Sequence, residues 1–280
     1  MSEESMAPAG ALPGCIGVFD SGVGGLTVLR EVMRQLPQWD TLYLADSAHC
    51  PYGARPPEEI RHLSEDIARY LMGRGACCIV VACNTASAAA LGYLRERFPG
   101  VPFVGMVPAV KPAAALTRSG VVGVLATPAT LGGQLLSDVV ERYAGGVRVL
   151  RQACPGLVER IEEGDLEGPA TEALVRSYLE PLLGQGADVI ALGCTHYPFV
   201  APLIQRLAGP GVRLLDPSEA VARQVGRVLS GRHSSGGGRH TFLTTGDPQL
   251  LVAAARRLLG GEAQAEGVVV SFPRTSGESC

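Results

Sequence analysis

Short apolar runs alternate with helix-period patterns along most of the chain. The first run, residues 16–19, leads into a pattern in which Leu26, Leu29, Val32, Met33 and Leu36 recur at helical spacing until Pro37. Residues 41–44 are the next strand candidate. An amphipathic helix is expected over 57–72, with Ile60, Leu63, Ile67 and Leu71 on one face. Further strand-like runs close at Ala82, Leu125, Leu150 and Gly193, interleaved with helices expected over 87–98, 131–143 and 169–183. Beyond Asp216 the pattern predicts a helix over 218–229, a flexible Gly/Ser loop over 231–239, a strand over 240–245, a helix over 248–259 and a strand over 267–272. Strands alternating with helices in this way predict the α/β class with mainly parallel sheets.

Two of the runs end in a cysteine and share more than that. Laid over one another at an offset of 111 residues, Val80 to Ser87 (VVACNTAS) and Ile190 to Pro198 (IALGCTHYP) place Ile79 on Ile190, Cys83 on Cys194, Thr85 on His196 and Arg95 on Arg206. Pro99-Gly100-Val101 falls on Pro210-Gly211-Val212, and upstream Gly17-Val18 matches Gly123-Val124 with Ser21 over Thr127. The repeat predicts two similar halves. The segment after 216 has no counterpart and is expected to fold back onto the first half. That gives a tail over 1–14, a discontinuous first domain over 15–104 plus 218–273, and a second domain over 105–217.

Composition narrows the function. A net charge of −3, a pI near 6.0 and no local Lys/Arg cluster give no footprint for a nucleic-acid backbone. The uncharged span 75–94 is interrupted by Asn84, Thr85 and Ser87, which argues for strand, turn and helix rather than a membrane crossing. Eight cysteines, at 15, 50, 77, 78, 83, 154, 194 and 280, form neither a disulfide framework nor a CxxC pair, so reduced thiols in a cytoplasmic protein are expected. The acidic start MSEESMAPAGALPG lacks the pattern of a signal peptide.

Candidate chemistry gathers at strand ends. Asp20 and Ser21 close the first strand, where open α/β sheets bind ligands, although Asp20 fits a helix cap or turn equally well. Gly22, Gly24 and Gly25 would let backbone N–H groups approach an anion. Pro51-Tyr52-Gly53 forms a defined turn that aims at a ligand or merely closes a loop. His49 and Cys50 stand side by side, but without partners at zinc spacing, so no metal is expected. Cys83 lies between a strand's carboxyl end and a helix N-terminus, a place expected to favour thiolate. Cys77, Cys78 and Cys154 read as structural thiols. Two matched thiols suit proton exchange on the two faces of one carbon, since inverting a stereocentre by deprotonation needs a base on one face and an acid on the other. A pyridoxal route needs a Schiff-base lysine, and Lys111, followed by Pro112, is the single lysine of the chain. No cofactor is expected.

Gly17-Val18-Phe19-Asp20-Ser21-Gly22-Val23-Gly24-Gly25-Leu26, Pro51-Tyr52-Gly53, Ala82-Cys83-Asn84-Thr85-Ala86, Thr127-Pro128-Ala129-Thr130 and Gly193-Cys194-Thr195-His196-Tyr197-Pro198 together resemble the glutamate racemases. The resemblance runs from about residue 15 to about 272 and departs mildly at Ala45, His49-Cys50 and Ala126. It implies two pseudo-symmetric three-layer α/β domains with the active site between them, and cofactor-independent interconversion of L- and D-glutamate for peptidoglycan synthesis. It also implies a homodimer. Carried over by residue, Cys83 would act on D-glutamate and Cys194 on L-glutamate, assisted by Asp20 and His196. Glu162 or Glu163 would supply an acid near the second thiol, with Glu162 the better match. Asp20, Ser21, Pro51, Tyr52, Gly53, Asn84, Thr85, Thr127, Thr130, Thr195 and His196 would hold the substrate. Alternatives are an aspartate or hydantoin racemase of the same fold, a Cys-His nucleophile using Cys194 or Cys50, and a non-catalytic amino-acid-binding protein.

Overall fold

A computed structural model describes residues 14–234, 236–260 and 263–270. The expected tail over 1–14 therefore lies outside the described residues except for Gly14. Among the described residues ten strands form two sheets in which every pairing is parallel.

The first sheet is built on β1 (Cys15–Asp20), flanked by β2 (Thr41–Ala45) and β3 (Ala76–Val81), with β4 (Phe103–Val104) outside β3. The second is built on β5 (Val121–Ala126), flanked by β6 (Arg148–Ala153) and β7 (Val189–Gly193), with β8 (Arg213–Leu215) outside β7. The order β2-β1-β3-β4 thus recurs as β6-β5-β7-β8, which is the physical content of the sequence repeat. The segment without a counterpart supplies β9 (His240–Thr244), paired to β2, and β10 (Ala265–Gly267), paired to β9.

Helices cover both faces of each sheet, so the apolar side chains that alternate along each strand are buried on both sides. On one face of the first sheet, Ile16, Val18 and Val80 pack against α1 (Leu26–Gln35), α10 (Ser218–Val228) and α11 (Pro248–Leu259) through Val28, Val32, Val225 and Leu251. On the other, Phe19, Ile79 and Val81 meet Ile67 and Leu71 of α2 (Pro57–Gly73) and Leu91 and Leu94 of α3 (Asn84–Arg97). In the second sheet, Ile190 and Leu192 pack against Leu179 of α8 (Pro169–Leu183) and Leu203 of α9 (Ala201–Ala208). Val124 and Ala191 pack on the opposite face against Val110 of α4 (Val110–Leu116) and Leu136 of α6 (Gln134–Tyr143). Each large apolar side chain buried this way contributes about 1.5–3 kcal/mol. No helix among the described residues is long and apolar enough to cross a membrane.

Several element bounds differ from the sequence reading. The helix expected over 131–143 is two pieces, α5 (Pro128–Gly132) and α6, broken at the extended Gly133. A Cβ on Gly133 would stand 2.9 Å from the Cβ of Ala88 in α3, so the break is where two helices touch. The helix expected from Ser87 begins three residues earlier, because Cys83 Sγ caps it by accepting from Ala86 N–H. The strand expected over 147–150 runs from Arg148 to Ala153, and a short α7 (Leu157–Glu162) follows it. The last strand is found at Ala265–Gly267 rather than 267–272, whose end lies outside the described residues. In the loop over 231–239, Gly237 N–H and Arg239 N–H both donate to Asp40 Oδ1, at 3.0 and 2.8 Å.

Candidate active site

The carboxyl ends of β1, β3, β5 and β7 and the turn leaving α7 converge, and nearly all the residues singled out from sequence meet there. Cys83 and Cys194 occupy equivalent positions, each just beyond the third strand of its sheet in chain order, and both are buried. Each has its own chain of polar partners.

On the first side, the Cys83 thiol faces Ser21 Oγ at 3.8 Å, and Ser21 Oγ donates to Asp20 Oδ1 at 2.9 Å. Asp20 is fully buried, and its other oxygen accepts from Thr195 Oγ1 at 2.7 Å. Burial lifts the Asp20 carboxyl above its ordinary range, and the His196 charge with the Thr195 and Ser21 hydrogen bonds offsets only part of that. The thiolate expected at Cys83 is not what this environment favours. Burial and the neighbouring Asp20 charge push the thiol up, and the Ala86 N–H at the helix start does not compensate.

On the second side, Cys194 Sγ lies 3.7 Å from His196 Nδ1, and His196 Nε2 lies 2.5 Å from Glu162 Oε1. Burial alone would lower the imidazole pKa, but the hydrogen bonds to Cys194 and Glu162 and the Glu162 charge raise it well above the ordinary range. Burial likewise opposes ionisation of Glu162. The His196 hydrogen bond and charge, together with Val23 N–H, outweigh it and hold the carboxyl below its ordinary range. Of the two acids left open by the sequence, Glu162 is the one in the site, and Glu163 is instead placed 3.6 Å from Arg160.

The glycine-rich turn after β1 is shaped by this second side. Val23 N–H donates to Glu162 Oε1 at 2.9 Å across 139 residues, so the anion at this turn is the protein's own carboxylate. A Cβ on Gly24 would stand 2.5 Å from His196 Nδ1 and 2.7 Å from Thr195 Oγ1, which leaves room for glycine alone.

Three hydroxyls form a second cluster. Thr85 Oγ1 lies 2.9 Å from Thr127 Oγ1, and Thr127 Oγ1 lies 3.0 Å from Thr130 Oγ1. Next to Thr85, the buried Asn84 amide has neither Oδ1 nor Nδ2 hydrogen-bonded to any described residue. A buried amide left so costs about 1–3 kcal/mol unless a ligand meets it. Gly53 packs against the Thr127 side chain, whereas the Tyr52 hydroxyl turns away and donates to Asp46 Oδ2 at 2.6 Å. Tyr52 therefore braces the loop rather than presenting its hydroxyl to the site. His49 is likewise engaged by Asp46, at 2.8 Å.

The remaining thiols separate by partners rather than by acidity. The seven cysteines among the described residues are free. Burial pushes Cys78 and Cys154 up to about 12, and neither has an acid or imidazole relay. Lys111 sits in α4 with its ammonium 4.8 Å from the Tyr143 ring. Two features were missed in the sequence. Tyr43 OH donates to Gly22 O at 2.7 Å beneath the turn, and Cys50 Sγ lies 3.7 Å from Glu162 Oε1. A tyrosine in an alternating strand carries no signal of its hydroxyl's target, and Cys50 meets its partner only through the fold.

Comparison with known proteins agrees with this geometry. A family model described as Asp/Glu/Hydantoin racemase matches residues 16–225. The chain is 56% identical over 263 residues to the glutamate racemase of Roseiflexus sp. (strain RS-1), covering 92% of this chain and 94% of that protein. Among solved structures, glutamate racemase from Escherichia coli in complex with L-glutamate and the activator UDP-MurNAc-Ala superposes with a TM-score of 0.82 at 30% identity, covering 93% of this chain and all of that one. The glutamate racemase of Francisella tularensis in complex with D-glutamate gives a TM-score of 0.80 at 29% identity, covering 92% and 98%.

Proposed function

The chain belongs to the Asp/Glu/Hydantoin racemase family, and on that premise we propose that it interconverts L- and D-glutamate by proton exchange at Cα between Cys83 and Cys194. The observation that carries this reading is the equivalence of the two thiols. Each closes the corresponding strand of a repeated four-strand order, and each is backed by its own acid, Asp20 through Ser21 and Glu162 through His196.

The two sides suit opposite jobs. His196, carrying its proton between Glu162 and Cys194, supports a negative charge on Cys194 Sγ. Cys83, pushed toward the neutral thiol, is ready to give a proton. In the L-to-D direction the Cys194 thiolate takes the Cα proton and the Cys83 thiol delivers one to the opposite face. One C–H bond breaks as another forms, and the enzyme is left with thiolate on Cys83 and thiol on Cys194. The reverse direction starts from that exchanged state. Return to the resting form needs one proton taken off Cys194 and one given to Cys83, and the Cys83–Ser21–Asp20 chain offers a path on its side.

The carbanion that forms between these steps needs fixed donors at the substrate carboxylate. We assign this role to the Asn84 amide and the hydroxyls of Thr85, Thr127 and Thr130, with Ser21, Thr195 and the backbone around Gly53 as the walls; the unpaired Asn84 amide and the hydroxyl cluster support the assignment. The product D-glutamate would serve peptidoglycan synthesis in the cytoplasm, and a homodimer with domains at 15–104 plus 218–273 and at 105–217 is the assembly we assign. The deciding test is incubation of purified protein with a chelator and no cofactor, on each enantiomer of glutamate and in parallel on aspartate. Loss of optical rotation with glutamate alone supports the reading. Folded protein that changes neither enantiomer rules it out, and turnover of aspartate instead selects the sister activity.

A further inference from the structure

Cys50 has no part in the proton exchange, yet its thiol lies among the groups that perform it. Its Sγ is 3.7 Å from Glu162 Oε1, the same oxygen that is 2.5 Å from His196 Nε2. Donor atoms of the three residues all lie within 4.8 Å of one another. They come from three separate stretches: the loop after β2, the end of α7 and the turn after β7. Gly22 walls the cluster, since a Cβ there would run into Glu162 Oε1 and Cys50 Sγ.

We propose that Cys50, Glu162 and His196 form a binding site for a borderline-soft divalent cation of the Zn2+ type, and that its occupation arrests proton exchange at Cys194. One thiolate, one carboxylate and one imidazole are the donors such a cation selects, and three protein ligands leave a fourth position for water or a substrate carboxylate. With bond lengths of about 2.0–2.3 Å, a tetrahedral cation holds its ligand atoms about 3.3–3.8 Å apart. Cys50 and Glu162 already stand at 3.7 Å, and the His196–Glu162 contact has to open by about 1 Å, with the cation replacing the proton between them. Two protons leave as it enters, one from the thiol and one from the imidazolium. Val23 N–H keeps the carboxylate aimed meanwhile. Once Nε2 is bound to the cation, His196 no longer donates a proton to Glu162. Its Nδ1 still faces Cys194 Sγ at 3.7 Å, but a proton taken from that thiol can no longer be passed through the ring to Glu162.

The inhibitory role rests on the racemase reading; the cation site does not, and separate measurements report on each. The full chain is titrated with Co2+, read by the thiolate-to-cobalt charge-transfer band, and racemisation is followed with Zn2+ and then with chelator. Wild type should bind one cation per chain with the band, lose racemisation with Zn2+ and regain it with chelator. Cys50→Ala and Cys50→Ser should keep basal racemisation, lose the band and need at least about tenfold more cation for binding and for inhibition. The two substitutions guard against a folding defect in one. Unchanged binding and inhibition in both variants would overturn the site and move the cation to Cys83 and Cys194. Cys50-dependent binding without inhibition would overturn the regulatory role alone. Absence of racemisation in metal-free protein would overturn the racemase reading while the cobalt result stands.

Discussion

Thr195 Oγ1 donates to Asp20 Oδ2 at 2.7 Å, tying the end of the second sheet's third strand to the end of the first sheet's central strand across 175 residues of chain. The bond ends on a fully buried carboxyl, where each donor counts. Thr195→Val keeps the shape and removes the donor. The expected loss in kcat/KM is about 10- to 100-fold, equivalent to about 1.5–3 kcal/mol for a hydrogen bond to a charged group. Steady-state kinetics on both enantiomers check it. The two enantiomers are equally stable in water, so kcat/KM must fall by the same factor in both directions.

Cys83→Ala and Cys194→Ala should each remove racemisation, with a loss of at least about 100-fold for deletion of an acid–base group. Wild type in heavy water should place deuterium at Cα of the product. Full racemisation by either single variant contradicts exchange between two thiols.

Glu162→Gln should shift the pH profile rather than scale it. The carboxylate raises the imidazole pKa of His196, so its loss returns that pKa toward the ordinary value of 6.5. The alkaline limb of kcat/KM that reports His196 should move to lower pH. A profile that drops uniformly without moving would show that Glu162 does not act through His196.

Asp20→Asn should stabilise the protein while impairing it. Burial raises the Asp20 pKa above 3.8, so its favourable contribution to stability is present below 3.8 and is lost as pH rises through the raised value. Above that value the wild type carries the cost of a buried charge that Asn avoids. Thermal melts should show a higher Tm for the variant at neutral pH, by about 2 °C for each kcal/mol in a chain of this size, and the gap should close as pH is lowered toward 4. Glu162 runs the other way: its pKa is lowered, so it stabilises above the ordinary carboxylate range and stops doing so as pH falls through the lowered value.

Gly24→Ala should impair racemisation at least about tenfold, since the added Cβ forces His196 and Thr195 aside at a cost of about 1–3 kcal/mol. Gly92→Ala, on the exposed side of α3 with open space around it, should leave activity intact and raise stability by about 0.5–1 kcal/mol. Equal activity in both variants would show that the turn does not set the position of His196.

The sequence carried the parts of this site that depend on local pattern. A three-strand pattern written twice implied two equivalent halves and placed Cys83 and Cys194 at matching strand ends, whereas the short β4 and β8 that extend the two sheets were not legible in it. What it could not carry is contact between distant loops. The Val23–Glu162 bond joins a turn to a helix end 139 residues away, and neither residue's surroundings in sequence mention the other. The same holds for Cys50, which meets Glu162 while the adjacent His49 is held by Asp46. Tyr52 sits in a motif suited to a ligand, yet its hydroxyl settles the buried Asp46 carboxylate first. The expectation of a thiolate at Cys83 weighed the helix N-terminus but not the desolvation and the Asp20 charge that oppose it.

The pairing of β9 with β2 also sets an order of events during synthesis. Thr245, just past β9, donates to Asp46 Oδ1 at 2.7 Å, and Asp46 in turn receives the Tyr52 hydroxyl and the His49 ring. The brace for the loop beside the site thus leaves the ribosome about two hundred residues after the loop it holds, a separation of 199 between Thr245 and Asp46. A nascent chain can build β1 to β8 and both thiol-bearing strand ends while that loop still lacks its last partner. Maturation of the site is therefore tied to arrival of the final α/β unit.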